Sequence, residues 1–224
     1  MNLLKHIIPK QNRGAETKAI ARKKCNTERQ AIDLFRVAAA RLLDINNWGD
    51  FASKLSAIFS LTDNNGVTIS NKIPEVGNLI RIQLPGPPNI DGSGYDWVRI
   101  EKIEEEKDKF RKREFLQLQV RPVENPFDKK KETQAHLYTV DATSTFAVVR
   151  KNKTVWVFEL GRHELVNTRV NSFVNNARNL LVSVAAFIGL STSQWKLLIN
   201  GILTYPYSKL IQKEHEPKYR YSGA

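Results

Sequence analysis

The sequence contains a single cysteine, Cys25. An intrachain disulfide framework and a cysteine-rich zinc site are therefore excluded. The four histidines form no metal-binding spacing such as His-Glu-x-x-His, so we predict neither a metal site nor another cofactor. The scarcity of cysteine favours a reducing, cytoplasmic location.

Long apolar runs are also lacking. The longest, from Leu180 to Leu190, has eleven residues, about half of the ~20 that a helix needs to cross a bilayer. The apolar start of the chain is short and is interrupted by Pro9, unlike the core of a secretory leader. We therefore predict neither a membrane span nor export.

Positive charge is abundant but unevenly placed. The net charge is +12, and residues 1–30 carry eight Lys or Arg against two Glu, while residues 191–224 carry five against two. The two ends therefore hold +9 of the +12. The chain between them is close to neutral, which argues against a folded body that is itself a nucleic-acid platform.

Four segments have the apolar spacing that is typical of helices. The first is predicted over residues 27–45, where Asn26 or Thr27 provides the N-cap, and a short second helix over 48–59. A long third helix is predicted over 168–189, and a fourth begins after Ser191.

Between the second and third helices the apolar period changes to two. Residues 79–84 and 115–122 alternate between apolar and polar, which indicates antiparallel strands with one wet face. Residues 95–103 alternate less clearly. The segments 144–150 and 154–160 are apolar at successive positions, which predicts strands that lie at the centre of the sheet or are covered on both faces.

This segregated order predicts an α+β fold, in which an antiparallel sheet of about five or six strands is covered by N-terminal and C-terminal helices. We expect a single domain over 27–204, with a basic arm over 1–26 and a basic, aromatic tail over 205–224. The architecture resembles the START-like ligand-binding fold, except that no strand is predicted before the first helices. The resemblance concerns architecture alone and implies no function.

The stretch from Leu84 to Glu101, LPGPPNIDGSGYDWVRIE, has three prolines and three glycines between two predicted strands. Gly92 and Gly94 lead into a strand and not into a helix, which excludes a dinucleotide-type phosphate loop. Tyr95 and Trp97 have apolar area and a polar tip, and would either line a ligand site or plug the end of the sheet.

A second polar group follows the last predicted strand. Arg162 would clamp an anion there, and His163 and Glu164 would add hydrogen-bonding groups, unless the three only form a salt-bridged corner. We predict a binding or interaction domain without catalytic residues, which contacts a protein partner or a small hydrophobic ligand through these candidates: Tyr95, Trp97, Arg162, His163 and Glu164.

Two alternatives come from other classes of function. The first is sequence-nonspecific nucleic-acid binding by the basic ends, through Arg22, Lys23, Lys24, Lys218 and Arg220. The second is a hydrolase that uses His163 or His136 with Asp141. No Gly-x-Ser-x-Gly elbow surrounds Ser144, which disfavours the hydrolase. The sequence makes no prediction of oligomeric state.

Overall fold

A computed structural model describes residues 15–52, 57–70, 72–83, 95–127, 142–164 and 193–204. Their elements are, in chain order, β1 (Ala15–Lys24), α1 (Glu28–Leu43), a 3-10 turn (Ile45–Asn47), α2 (Trp48–Ala52), β2 (Ile58–Thr62), β3 (Leu79–Gln83), β4 (Asp96–Asp108), β5 (Arg113–Pro122), β6 (Thr143–Lys151), β7 (Thr154–Glu164) and the helical residues 193–204, named α3 here.

The described strands form one antiparallel sheet in the order β1-β7-β6-β5-β4-β3-β2. The predicted α+β architecture is thereby confirmed. The predicted number of five or six strands is too low, because the sheet has seven. The two missed strands, β1 and β2, are the edges of the sheet, where the apolar alternation of a strand is weakest.

Strand β1 corrects the prediction that residues 15–24 belong to a basic arm. It pairs with β7 over nearly its whole length. Ala19 and Ala21 are buried against the core, while Lys18, Arg22 and Lys24 lie on the other face. The density of Lys and Arg conceals this alternation in the sequence, yet lysine is a common residue on edge strands. A strand therefore precedes the first helices, where none was predicted.

Strand β2 corrects the prediction of a helix over 48–59. Helix α2 ends at Ala52, and Ile58 already belongs to the strand. The spacing of Phe51, Ile58 and Phe59 fits a helix, but pairing of Phe59 with Ile82 places this segment in the sheet. The terminal residues 1–14 and 205–224 and the predicted helix over 168–189 lie outside the described residues.

The sheet is buried on both faces at its centre. On one face, named the helix face, Leu118, Phe146 and Val148 pack against the described helices. On the opposite face, named the second face, Ala147 and Phe158 are also buried, in a separate apolar cluster. The prediction that β6 and β7 are covered on both sides is thereby confirmed.

Helix α1 begins at a capping box. Gln30 N donates to Thr27 Oγ1 at 3.1 Å, and the Gln30 side chain accepts from the Thr27 backbone N–H at 3.3 Å. Ala31, Phe35, Ala38 and Leu42 recur at helical spacing and are completely buried. The small alanines let the helix lie close to β6 and β7.

An aromatic cluster connects helices to the helix face. Trp48, at the start of α2, lies 5.4 Å from Phe59 and 5.0 Å from Phe146, measured between ring centroids. Trp195 of α3 lies 5.2 Å from Phe146. The Trp48 indole donates to the Leu42 carbonyl at 3.1 Å, so its polar atom is satisfied inside the core.

Helix α3 docks closely against α1 and α2. The buried guanidinium of Arg41 donates to the Ile202 carbonyl at 3.0 Å. Gly201 lies against the carbonyl of Phe51, where an added Cβ would be 1.7 Å from the carbonyl oxygen. The described helices include none whose length and apolar character suffice to cross a bilayer.

Charged groups join the start of α1 to the hairpins of the sheet. Lys112, in the β4–β5 turn, bonds to Glu28 at 2.9 Å. Arg150 pairs with Glu114 in a buried contact, and its guanidinium is 3.9 Å from Glu28. Opposite charges also pair across the β4–β5 hairpin, where Arg113 and Glu106 are in contact at 2.7 Å.

We expect Gly201→Ala to destabilise the protein by about 1 to 3 kcal/mol, because the new methyl group would overlap the Phe51 carbonyl. The cost of this overlap exceeds the free energy that the higher helix propensity of alanine contributes. Urea unfolding followed by circular dichroism measures the change. Asn200→Ala, at the neighbouring exposed position, is the control. Equal stability of the two variants would contradict the close contact.

Acid should weaken the contact at the start of α1. The hydrogen bond from Lys112 holds the pKa of the Glu28 carboxyl below its ordinary value of 4.5, and the charges of Lys112 and Arg150 act in the same direction against partial desolvation. The unfolded chain therefore takes up this proton first as the pH falls. The stabilisation is present above pH 4.5 and is lost as the pH drops through the folded-state pKa.

The measurement is thermal unfolding between about pH 6 and pH 3. The difference in Tm between the native chain and Glu28→Gln should shrink toward the acid end. Glu75→Gln, at an exposed position outside the helices, serves as the control. A difference that stays constant with pH would exclude a titrating contact at Glu28.

Candidate functional site

The predicted site residues come from two strands that are distant in sequence. Tyr95 precedes β4 and Trp97 lies at its start, whereas Arg162 lies near the end of β7. Because β4, β5, β6 and β7 run antiparallel in turn, the start of β4 and the end of β7 are at the same end of the sheet. We name it the β4/β7 end. Three strand spacings, about 14 Å, separate β4 from β7.

The register also places these side chains on one face. Trp97 is opposite Arg81, and Arg162 is opposite Thr143, and all four positions belong to the second face. The backbones of His163 and Glu164 continue β7, while their side chains lie outside the described part of the structure. Their assignment to a site stays a prediction.

Aromatic rings form one side of the β4/β7 end. Trp97 is 3% exposed, and the ring of Phe127 meets it edge-on with 5.9 Å between centroids. The Arg81 guanidinium lies over the Tyr95 ring, 4.8 Å from its centroid. Trp97 is thus more deeply buried than the lining of an open mouth, and Tyr95 and Phe127 present the accessible aromatic area.

Local turns hold Phe127 in place. The Phe127 backbone N–H donates to Asn125 Oδ1 at 3.0 Å, so the chain turns back over Trp97 directly after β5. Gly66, which adopts φ +84°, lies beneath the same ring, and a Cβ there would be 2.8 Å from it. Both the conformation and the space require glycine at this turn.

Two buried donors at the β4/β7 end have no hydrogen-bond acceptor among the described residues. They are the indole Nε1 of Trp97 and the hydroxyl of Thr143, whose residue is 4% exposed. Buried polar groups are ordinarily paired. The neighbouring Arg162, 8% exposed, donates to the Gly161 carbonyl at 2.9 Å.

Three arginines and one carboxylate at this end were not among the predicted site residues. Arg81, Arg99 and Arg121 lie on the second face, and Arg99 and Arg121 are directly opposite each other. Glu101, at a register shift in β4, accepts from Arg121 at 2.5 Å and from Gln119 at 3.2 Å. The alternation of each strand places these residues on its polar side, but only the order of strands brings them together.

The residues of the alternative functions are more dispersed. Arg22 lies over the ring of Trp156 with 5.8 Å to the centroid, at the other end of the sheet, and Lys23 and Lys24 are exposed. Lys218, Arg220, His136 and Asp141 lie outside the described residues. Within the described chain, no three His, Cys, Asp or Glu residues form a group that could hold a metal ion.

Comparisons with known proteins yield distant structural likenesses. No protein-family model and no curated sequence matches the chain. A hypothetical protein from Helicobacter pylori is 13% identical, with 83% of this chain and 86% of that one covered and a TM-score of 0.42. The major latex-like protein 151 of Panax ginseng is 12% identical, with 81% and 99% covered and a TM-score of 0.37.

The Zhui aromatase/cyclase from Streptomyces sp. R1128 is 8% identical, with 84% of this chain and 94% of that one covered and a TM-score of 0.38. At such identities and TM-scores, the likenesses carry no inference about function. The fold is instead established by the strand pairings of this chain, which form an antiparallel seven-stranded sheet.

We expect Thr143→Val to raise the stability of the protein without ligand by about 1 kcal/mol, because it replaces a buried hydroxyl that has no partner in the described part of the chain with a methyl group of similar shape. Thr27→Val is the control with the opposite sign, since it removes the helix cap and costs about 1 kcal/mol. Urea unfolding measures both. Destabilisation by Thr143→Val would mean that the hydroxyl is satisfied.

Proposed function

We propose that this chain is a non-enzymatic binding domain that takes a small, largely apolar ligand at the β4/β7 end of the second face. The observation that carries the proposal is the juxtaposition of aromatic rings with the Trp97 indole N–H, which has no acceptor among the described residues. Apolar walls with a few oriented polar groups are typical of sites for small molecules.

The aromatic residues would supply most of the contact. Phe127 is 60% exposed although it packs against Trp97, and Tyr95 is half-buried beside it. A ligand ring or alkyl chain laid against them would remove this apolar surface from water. The buried donors of Trp97 and Thr143 would then orient the polar end of the ligand.

A small ligand is favoured over a protein partner because the two donors that lack an acceptor among the described residues are buried. A flat protein surface reaches exposed groups, whereas a small molecule can enter between side chains. Arg162 supports the same site, since it is buried and is paired with Thr143 on the neighbouring strand.

The other predicted functions have less support. No contact among the described residues favours nucleic-acid binding, and Arg22 is already engaged over Trp156. The hydrolase stays a prediction, because it depends on His163, His136 and Asp141, whose side chains lie outside the described residues. The cytoplasmic location stays a prediction.

The neutral fluorescent probe N-phenyl-1-naphthylamine tests the site by titration. We expect the native chain to bind it, and Phe127→Ala to weaken binding by about three- to tenfold, because an aromatic contact is lost. Phe110→Ala is the matched control, since Phe110 is a fully exposed phenylalanine at the tip of the β4–β5 hairpin. Failure of the native chain to bind, or equal losses in both variants, would contradict the proposal.

A further inference from the structure

Positive charge is concentrated at the β4/β7 end of the second face. Four strands contribute one arginine each, and the described side chains on this part of the face include one carboxylate, Glu101. The arginines are Arg81 from β3, Arg99 from β4, Arg121 from β5 and Arg162 from β7. This excess belongs to the folded body, although the chain between its basic ends is nearly neutral overall.

Two of these arginines are in an unfavourable arrangement. Arg99 and Arg121 are directly opposite each other in the β4–β5 pairing. Side chains in such positions have Cβ atoms about 5 Å apart, and like charges there destabilise a sheet. Glu101 pairs with Arg121 at 2.5 Å, and no described contact brings a carboxylate to Arg99, which is exposed.

The neighbouring polar groups are donors as well. The Thr143 position adjoins Arg162 in the β6–β7 pairing, and its buried hydroxyl has no acceptor among the described residues. The buried indole N–H of Trp97 also has no acceptor among the described residues. Trp97 lies two residues before Arg99 on the same face of β4. Guanidinium, hydroxyl and indole groups therefore lie at the same end of the second face, on neighbouring strands.

We infer that the ligand of this site is an organic anion, whose apolar body lies on Tyr95 and Phe127 and whose negative group is held by Arg99 and Arg121. This inference rests on the proposed function and adds the chemical class of the ligand. Arginine suits the task because its planar group donates two parallel hydrogen bonds to a carboxylate, sulfonate or phosphate. An anion between Arg99 and Arg121 would also relieve their repulsion.

A matched pair of probes separates this inference from the proposed function. N-phenyl-1-naphthylamine and its 8-sulfonate share one ring system and differ in the charged group. We expect the sulfonate to bind the native chain about tenfold more tightly or better, since hydrogen bonds to charged groups are stronger than neutral ones. Fluorescence titration gives both affinities.

Arg99→Gln tests whether Arg99 binds the negative group of the ligand. It should reduce the affinity for the sulfonate about tenfold and change that for the neutral probe by less than about twofold. Arg111→Gln, at an exposed arginine in the β4–β5 turn at the other end of β4, is the control and should leave both affinities unchanged. Without probe, Arg99→Gln should raise the Tm, because it removes one member of the like-charge pair.

Each result decides between the two proposals. If neither probe binds, the proposed function fails and the inference with it. If both bind equally well, the site stands and the anionic ligand is excluded. A preference for the sulfonate that Arg111→Gln diminishes as much as Arg99→Gln would reflect the overall positive charge and would overturn the assignment to Arg99 and Arg121.

Discussion

The antiparallel register of β4, β5, β6 and β7 is the constraint on which the candidate site depends. It brings the start of β4 to the same end of the sheet as the end of β7, more than sixty residues later in the chain. It also puts Trp97, Arg99, Arg121 and Arg162 on one face of the sheet. A shift of one residue between any two of these strands would move some of these side chains to the helix face.

The helix face supports that register from the other side. The alanines of α1 allow close packing on β6 and β7, and Trp48, Phe59, Phe146 and Trp195 fill the space between the sheet and the remaining helices. Buried side chains on this face leave little room for strands to slip. Packing on the helix face thereby fixes the positions of the polar side chains on the second face, which do not belong to the helix-face cluster.

Sequence patterns predicted the strands at the centre of the sheet better than those at its edges. The two-sided apolar runs of β6 and β7 indicated burial on both faces, which the structure confirms. Strands β1 and β2 were missed because one is crowded with Lys and Arg and the other has residues that also fit a helix. Pairing with β7 and β3 decides their conformation, and such pairing leaves only a weak local signal.

By itself, the sequence determined the α+β class, the polar sides of β3 and β5 and the aromatic character of the segment before Arg99. These properties depend on local periodicity and composition. Only the tertiary structure decided that Arg99 opposes Arg121, that Phe127 returns over Trp97, and that Arg162 shares their end of the sheet. The reason is physical: cross-strand neighbours are selected by hydrogen-bonded register and by burial of the whole sheet, which no single segment specifies.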